Sequence, residues 1–233
     1  MYANFFKRLF DFLLSLIALI VLSPIILILV MIGAVAMRGN PFFTQMRPGK
    51  VNRKTGKEKI FRLIKFRTMS NAKDKDGNLL PDDVRLNKYG KFLRSTSRDE
   101  LPELLNILVG DMAIVGPRPQ LVRDMVFMTE EERKRHTVRP GLTGLAQVSG
   151  RNNITWEKKF MYDLEYIKKI TFVNDVKIIV KTAVNVFKRD GITEEGMATA
   201  TDLGDYLLES GNVTKGNYAD SQCKEVSRRF GCF

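Results

Sequence analysis

Residues 12–37, FLLSLIALIVLSPIILILVMIGAVAM, run for twenty-six positions without a charge. At ~1.5 Å per residue a straight helix of that length reaches roughly 39 Å, more than the ~30 Å hydrocarbon core of a bilayer. The run is too long for a signal-peptide core, and no small-residue cleavage site follows it. Pro24 removes a backbone donor and crowds the preceding turn, so a kink or break is predicted there. Both flanks are basic: Lys7 and Arg8 before the run, then Arg38, Arg47, Lys50, Arg53 and Lys54 after it. A spanning helix usually carries its positive flank on the cytoplasmic side alone. Two basic flanks therefore favour a hairpin that enters the membrane and returns, with a kinked single span as the competing reading. The Ile20 carbonyl, freed by Pro24, needs a partner in lipid, and the Ser23 hydroxyl is the candidate.

The residues after this segment suffice for one domain with a real core. The formal charge of +12 draws anionic headgroups and anionic substrates alike, with nucleic acid as the competing partner. The two cysteines, Cys223 and Cys232, lie near the C-terminus. The core thus has neither a disulfide framework nor a cysteine metal site. One histidine, His136, excludes a histidine metal cluster and reads as a surface or loop residue. The chemistry then rests on carboxylates, lysine and arginine.

Three regions follow from the patterning: a membrane hairpin at 1–40, a compact domain at 41–201 and a mobile polar tail at 202–233. The fold class is α/β and mostly helical. EKIFRLIKFRTM reads as a strand, and MAIV as a short one stopped by GPRP. Leu101, Leu104, Leu105 and Leu108 share one face of a helix that Gly110 can end. Residues 120–136 and 155–189 look helical, the latter breaking near Asn174. RPGLTGLAQVSGRN, at 139–152, reads as a glycine-rich loop. The basic run at 132–135 reads as a solvated face.

STSRDELPELLN is the most informative segment. Ser97 and Glu100 match a capping box, Asp99 could itself cap, and Pro102 is tolerated in a first helical turn. Two acidic residues that merely cap a helix are the structural reading. The chemical reading uses the same placement: a helix N-terminus would keep Asp99 ionised as a nucleophile, while Glu100 points elsewhere and holds a cation. Arg118, Arg139 and Arg151, set among prolines and glycines, are candidate phosphate donors. Of Lys65 and Arg67 in KFRTM, Lys65 is the one expected to face a site. Arg94 and Arg98 flank the acidic pair. Asp163 either supports a site arginine or lies on a helix surface.

Taken together, the Ser23-Pro24 membrane segment, FTQMRPGK, KFRTM, SRDELPELLNILVGDMAIVGPRP, RPGLTGLAQVSGRN and WEKKFMYD resemble the bacterial sugar transferases, or monotopic phosphoglycosyl transferases. The resemblance covers roughly residues 1–200. It implies transfer of a phospho-sugar from a UDP-sugar to polyprenyl phosphate, with Asp99 as nucleophile, Glu100 as ligand to Mg²⁺ and UMP as leaving group. It also implies a re-entrant helix broken at Ser23-Pro24 and a catalytic domain on the cytoplasmic face of a bacterial inner membrane. Membrane lipids are expected partners and nucleic acid is not; the oligomeric state stays open, a homodimer included. A membrane-anchored nucleic-acid binder or a non-catalytic scaffold is the alternative.

Overall fold

The first helix, α1 (Lys7–Ala36), runs through Pro24 without interruption. The expected helix-break-helix is therefore one helix here, and the local chemistry explains why. Ser23 Oγ donates to the Ile20 carbonyl at 2.8 Å, which satisfies the acceptor that proline leaves idle. The computed structural model describes residues 2–150, 154–188 and 201–219.

One stripe of α1 packs on the rest of the chain. Asp11, Ser15, Leu29 and Gly33 are buried; Ala18, Leu19, Leu22, Ile26 and Val30 lie between them against the core. This is the spacing of one helical face. The opposite faces stay bare, with Ile20 65%, Val21 67% and Val35 80% exposed. Apolar surface on that scale needs lipid or a partner to cover it.

The domain is threaded along this helix. Strands β1 (Phe42–Val51) and β2 (Glu58–Phe66) pair antiparallel, with a bulge between Pro48 and Val51. After β2 come α2 (Asp82–Arg85) and α3 (Lys88–Ser95), a 3₁₀ turn at Arg98–Glu100, and α4 (Glu103–Val109). Strand β3 (Ala113–Val115) then pairs in parallel with β4 (Gly141–Thr143). Between these two strands lie a 3₁₀ turn at Val122–Phe127, α5 (Glu130–Arg133) and a second 3₁₀ turn at Lys134–Thr137. Helices α6 (Leu145–Ser149), α7 (Trp156–Lys168), α8 (Phe172–Lys188) and α9 (Leu203–Glu209) follow. One core cluster joins Phe61 and Leu63 to Leu104, Ile107 and Met112, with α1 laid over it. A second joins Leu29 of α1 to Phe66 and Leu93.

Several local expectations change. The described part of the glycine-rich segment, 139–150, is not a loop but contains β4 and α6. Residues 120–136 form two 3₁₀ turns around one short helix rather than a continuous helix. Arg135 and His136 are buried, not solvated; Arg135 pairs with Asp163 at 2.6 Å, and His136 lies 3.4 Å from Glu58. Part of the tail packs down as well. Leu203 joins Met128, Trp156 and Phe160, and Arg123 pairs with Asp202 at 2.9 Å and Asp205 at 3.4 Å. Residues 220–233, both cysteines among them, lie outside the described residues.

Asp124, beside that contact, is fully buried, and neither carboxylate oxygen has a hydrogen bond of good geometry. Burial, and after it the Asp202 charge, raises its pKa from 3.8 to about 6. The folded state thus holds this proton more tightly than the unfolded chain. The stabilisation is present at low pH and is lost as pH rises through about 6. Asp124→Asn, which keeps the shape without the charge, should be more stable than wild type at about pH 8, by at most about 3 kcal/mol, and the gap should narrow to about half of that at about pH 5. Thermal melts at both pH values check this; a gap that is constant or reversed would contradict it.

Candidate active site

The acidic pair reaches its place through an unusual turn. Ser97 adopts left-handed backbone angles, φ 52° and ψ 22°, and makes no capping bond. The capping box read from the sequence is therefore absent. Such a conformation costs a non-glycine residue about 1–2 kcal/mol. It redirects the chain from α3 into the 3₁₀ turn that carries Asp99 and Glu100. Helix α4 starts only at Glu103, behind Pro102, and ends at Gly110 with φ 94°. Its buried face comprises Glu103, Leu104, Asn106 and Ile107, while Leu105 is 42% exposed. The leucine face read from the sequence is rotated accordingly.

Asn106 ties α4 to β2. Its Oδ1 accepts from the Ile64 N–H at 3.1 Å and its Nδ2 donates to the Arg62 carbonyl at 2.8 Å. The next residue on the Leu63 face of the strand is Lys65, brought against the acidic turn. Lys65 Nζ donates to Glu100 Oε1 at 3.0 Å and lies 3.1 Å from Glu103 Oε1. Arg118 Nη2 donates to the same Glu100 oxygen at 2.6 Å. The turn that presents Arg118 is held from behind: Arg135 Nη2 donates to the Arg118 carbonyl at 2.7 Å and Arg47 Nη1 to the Pro119 carbonyl at 3.2 Å.

These contacts divide the two carboxylates. Burial alone would raise Glu100, but the adjacent Arg118 and Lys65 charges outweigh it and hold Glu100 well below the usual carboxylate range. Asp99 is half-buried, and no hydrogen bond reaches it from the described residues. Burial, and then the Glu100 charge, raises Asp99 to about 6, against the pull of Lys65, Arg118 and Arg94. The sequence reading placed Asp99 on a helix N-terminus that keeps it ionised; with α4 starting later, burial and like charge dominate instead. Glu103 rises to about 7, chiefly by burial.

The structure thus brings together Lys65, Asp99, Glu100 and Arg118, with Arg94 close by, its Nε donating to Thr68 Oγ1 at 3.1 Å. It places Arg139 elsewhere: Arg139 Nε donates to the Gly110 carbonyl at 2.9 Å, at the far end of α4. Arg151 lies outside the described residues. Glu103, Arg47 and Arg135 are additions that the sequence reading passed over. Glu103 had a signal, standing three residues after Glu100; nothing local marked the two arginines. Asp163 pairs with Arg135, one step removed from Arg118.

A carboxylate pair with one member fixed by two cations, on a domain packed along a long apolar helix, defines the class: a candidate ion-clustered centre beside lipid-compatible surface. The chain belongs to the bacterial sugar transferase family, which it matches over residues 2–189, and it is an enzyme of that family. It is 44% identical over 194 residues to the uncharacterized sugar transferase EpsL of Bacillus subtilis (strain 168), covering 83% of this chain and 93% of that one. It is 38% identical over 192 residues to the UDP-glucose:undecaprenyl-phosphate glucose-1-phosphate transferase of Klebsiella pneumoniae, covering 78% of this chain and 40% of that protein. It is also 34% identical over 207 residues to the undecaprenyl-phosphate galactose phosphotransferase of Salmonella typhimurium, covering 81% and 42%. The chain thus spans nearly all of the first relative and about two fifths of the other two. The non-catalytic alternatives give way to an enzyme.

Asn106→Ala tests how the site is assembled. It orphans two backbone groups of β2 at about 1–3 kcal/mol each and loosens Lys65 from Glu100. Both the unfolding midpoint and turnover should fall. A variant at wild-type level in both would mean that β2 is held by other contacts.

Proposed function

We propose that this enzyme transfers a phospho-sugar from a UDP-sugar to a polyprenyl phosphate through a covalent intermediate on Asp99. The observation that carries this reading is the asymmetry of the acidic pair. Glu100 is bound by Arg118 and Lys65, whereas Asp99 is half-buried and without a hydrogen bond from the described residues. The names of the Klebsiella and Salmonella relatives support the same substrate classes.

In the proposed first step an Asp99 oxygen attacks the β-phosphorus of the UDP-sugar. The bond from that phosphorus to the bridging oxygen breaks, UMP leaves with the bridging oxygen, and an acyl phosphate carries the sugar. In the second step an oxygen of the lipid phosphate attacks the same phosphorus. The acyl-phosphate bond breaks, Asp99 is restored, and polyprenyl-diphosphate-sugar departs. A carboxylate approaching a phosphate meets like charge, and Lys65, Arg94 and Arg118 offset that repulsion.

The residues also fit Mg²⁺. No group of three or more His, Cys, Asp or Glu that could hold a metal occurs among the described residues. Mg²⁺ is commonly held by one or two carboxylates together with substrate phosphates and water. Glu100 would hold the ion, which when bound would neutralise charge on the diphosphate.

The apolar helix is proposed to be re-entrant, with the catalytic domain on the cytoplasmic face. Both of its ends are tied to the same domain, which supports that topology. At the start, Lys7 pairs with Asp175 at 2.6 Å, and Arg8 donates to the Ile107 and Leu108 carbonyls. At the finish, Asn87 Nδ2 donates to the Ala36 carbonyl at 3.2 Å. Beside its start, α8 exposes Val173, Val176, Val180 and Val184 on one face. An acceptor phosphate at the interface would then be reached without lifting its lipid from the membrane.

Enzyme mixed with UDP-sugar and Mg²⁺, without acceptor, should release up to one UMP per site. Asp99→Asn should release none while melting no lower than wild type. With Asp99 raised to about 6, its reactive ionised form grows as pH rises, so the burst rate should climb from about pH 5 to about pH 7 and then level. UMP release that strictly requires acceptor, or that persists in Asp99→Asn, would contradict the covalent route.

A further inference from the structure

Arg139 marks a second cationic centre. It stands with Arg8 at the carbonyl end of α4, where Arg8 donates to the Ile107 and Leu108 carbonyls at 2.6 and 2.7 Å and Arg139 to the Gly110 carbonyl at 2.9 Å. Capping α4 accounts for these three bonds. It does not account for the cations around them. The β1–β2 hairpin brings Lys50 and, on its exposed tip, Arg53, Lys54 and Lys57. Burial, and then the Arg139 and Arg53 charges, lowers Lys50; burial, and then Arg8, lowers Arg139. Like charges are therefore crowded together. The nearby carboxylates are few: Asp111 pairs with Lys59 at 2.7 Å, and Asp11, whose Oδ1 accepts from the Ile114 N–H, offsets only part of the Arg8 and Arg139 charge.

Apolar surface adjoins this cluster. Val109, the last residue of α4, is 70% exposed. Leu9 and Phe12 of α1 are exposed too, and Arg8 lies over the Phe12 ring at 5.8 Å. Cations that repel one another beside apolar side chains suit a ligand with a negative head and a hydrocarbon body. Arg139 Nη1 and Nη2, Lys50 and Arg53 have no acidic partner among the described residues and are available to it.

We propose that Arg8, Lys50, Arg53 and Arg139 form a binding site for the phosphate headgroup of an anionic membrane phospholipid, separate from the centre at Asp99. The lipid would lie with its phosphate among these cations and its chains along Val109, Leu9 and Phe12. This does not rest on the proposed reaction, because occupancy can be read with no sugar donor present.

The test is native mass spectrometry of the full chain in detergent, with equal amounts of phosphatidylglycerol and phosphatidylcholine added. Wild type should retain phosphatidylglycerol in preference. Each Lys or Arg near an anionic surface is worth about fivefold in affinity, so Arg139→Gln should cut the preference by about that factor, and Arg139→Gln with Lys50→Gln by more. Arg53→Glu sits on an exposed hairpin tip and leaves the fold intact, so it decides the matter if the buried variants misfold; it too should cut the preference. Asp99→Asn should retain phosphatidylglycerol as wild type does. Equal retention of the two lipids by wild type, or a preference untouched by Arg53→Glu and Arg139→Gln, would overturn the site. Inorganic phosphate displacing phosphatidylglycerol at equal concentration would mean that free phosphate, not a lipid headgroup, is the occupant, and would overturn it as well.

Discussion

The contact between the buried stripe of α1 and the elements β2, α3 and α4 underlies everything else in this molecule. A helix that bears apolar side chains on nearly all faces would ordinarily stand apart from a catalytic domain. Here the residues from Asp11 to Gly33 lie along the domain, and the domain's core is completed by them. At Gly33 the approach is so close that an added Cβ would stand 2.7 Å from the Tyr89 hydroxyl, which itself donates to the Leu29 carbonyl. Glycine is thus required there by contact rather than by backbone angle. The strand that grips α1 also carries Lys65, and the turn between the two gripping helices carries Asp99 and Glu100, so the position of the site relative to the apolar surface is set by packing.

Within the site, electrostatics separates two neighbouring carboxylates. At an effective dielectric of about 20, one ion pair at about 4 Å is worth on the order of 4 kcal/mol before desolvation is subtracted. Glu100 has two such partners on one oxygen and stays charged; Asp99 has burial and a negative neighbour against it. The pair can therefore hold different roles although the residues are adjacent. Arg118, which does much of this work, depends on Arg135 and Arg47 at the back of its turn.

Much of this was legible in the sequence because it depends on local pattern. The strand at Glu58–Phe66, the short strand at Ala113–Val115 and the stop at Gly110 follow from periodicity and turn residues, whereas the interruption in the last long helical stretch falls at 169–171 and leaves Asn174, where it is expected, inside α8. The repair of Ile20 by Ser23 followed from the loss of one hydrogen bond. What failed was set by distant contacts. The start of α4 moved past Pro102 because Ser97 takes a left-handed conformation that serine seldom adopts. Arg135 looked solvated in a basic run because its partner, Asp163, is twenty-eight residues away. Arg139 looked like its fellow arginines near glycine and proline, yet the pairing of β3 with β4 carries it to the end of α4. The packing of Leu203 depends on an aromatic cluster, Trp156 and Phe160, that nothing near residue 203 announces.

The account stands or falls on whether both ends of α1 lie on one side of the membrane, since only then can one domain grip the whole helix while its free faces meet lipid. Single cysteines at Ala3 and Asp76, both exposed, in a chain with Cys223 and Cys232 changed to serine, can be probed in intact cells and in inverted vesicles with a membrane-impermeant maleimide. The account predicts that both positions react in inverted vesicles and neither in intact cells. Labelling of Ala3→Cys from the outside together with Asp76→Cys from the inside would show a true span and contradict it.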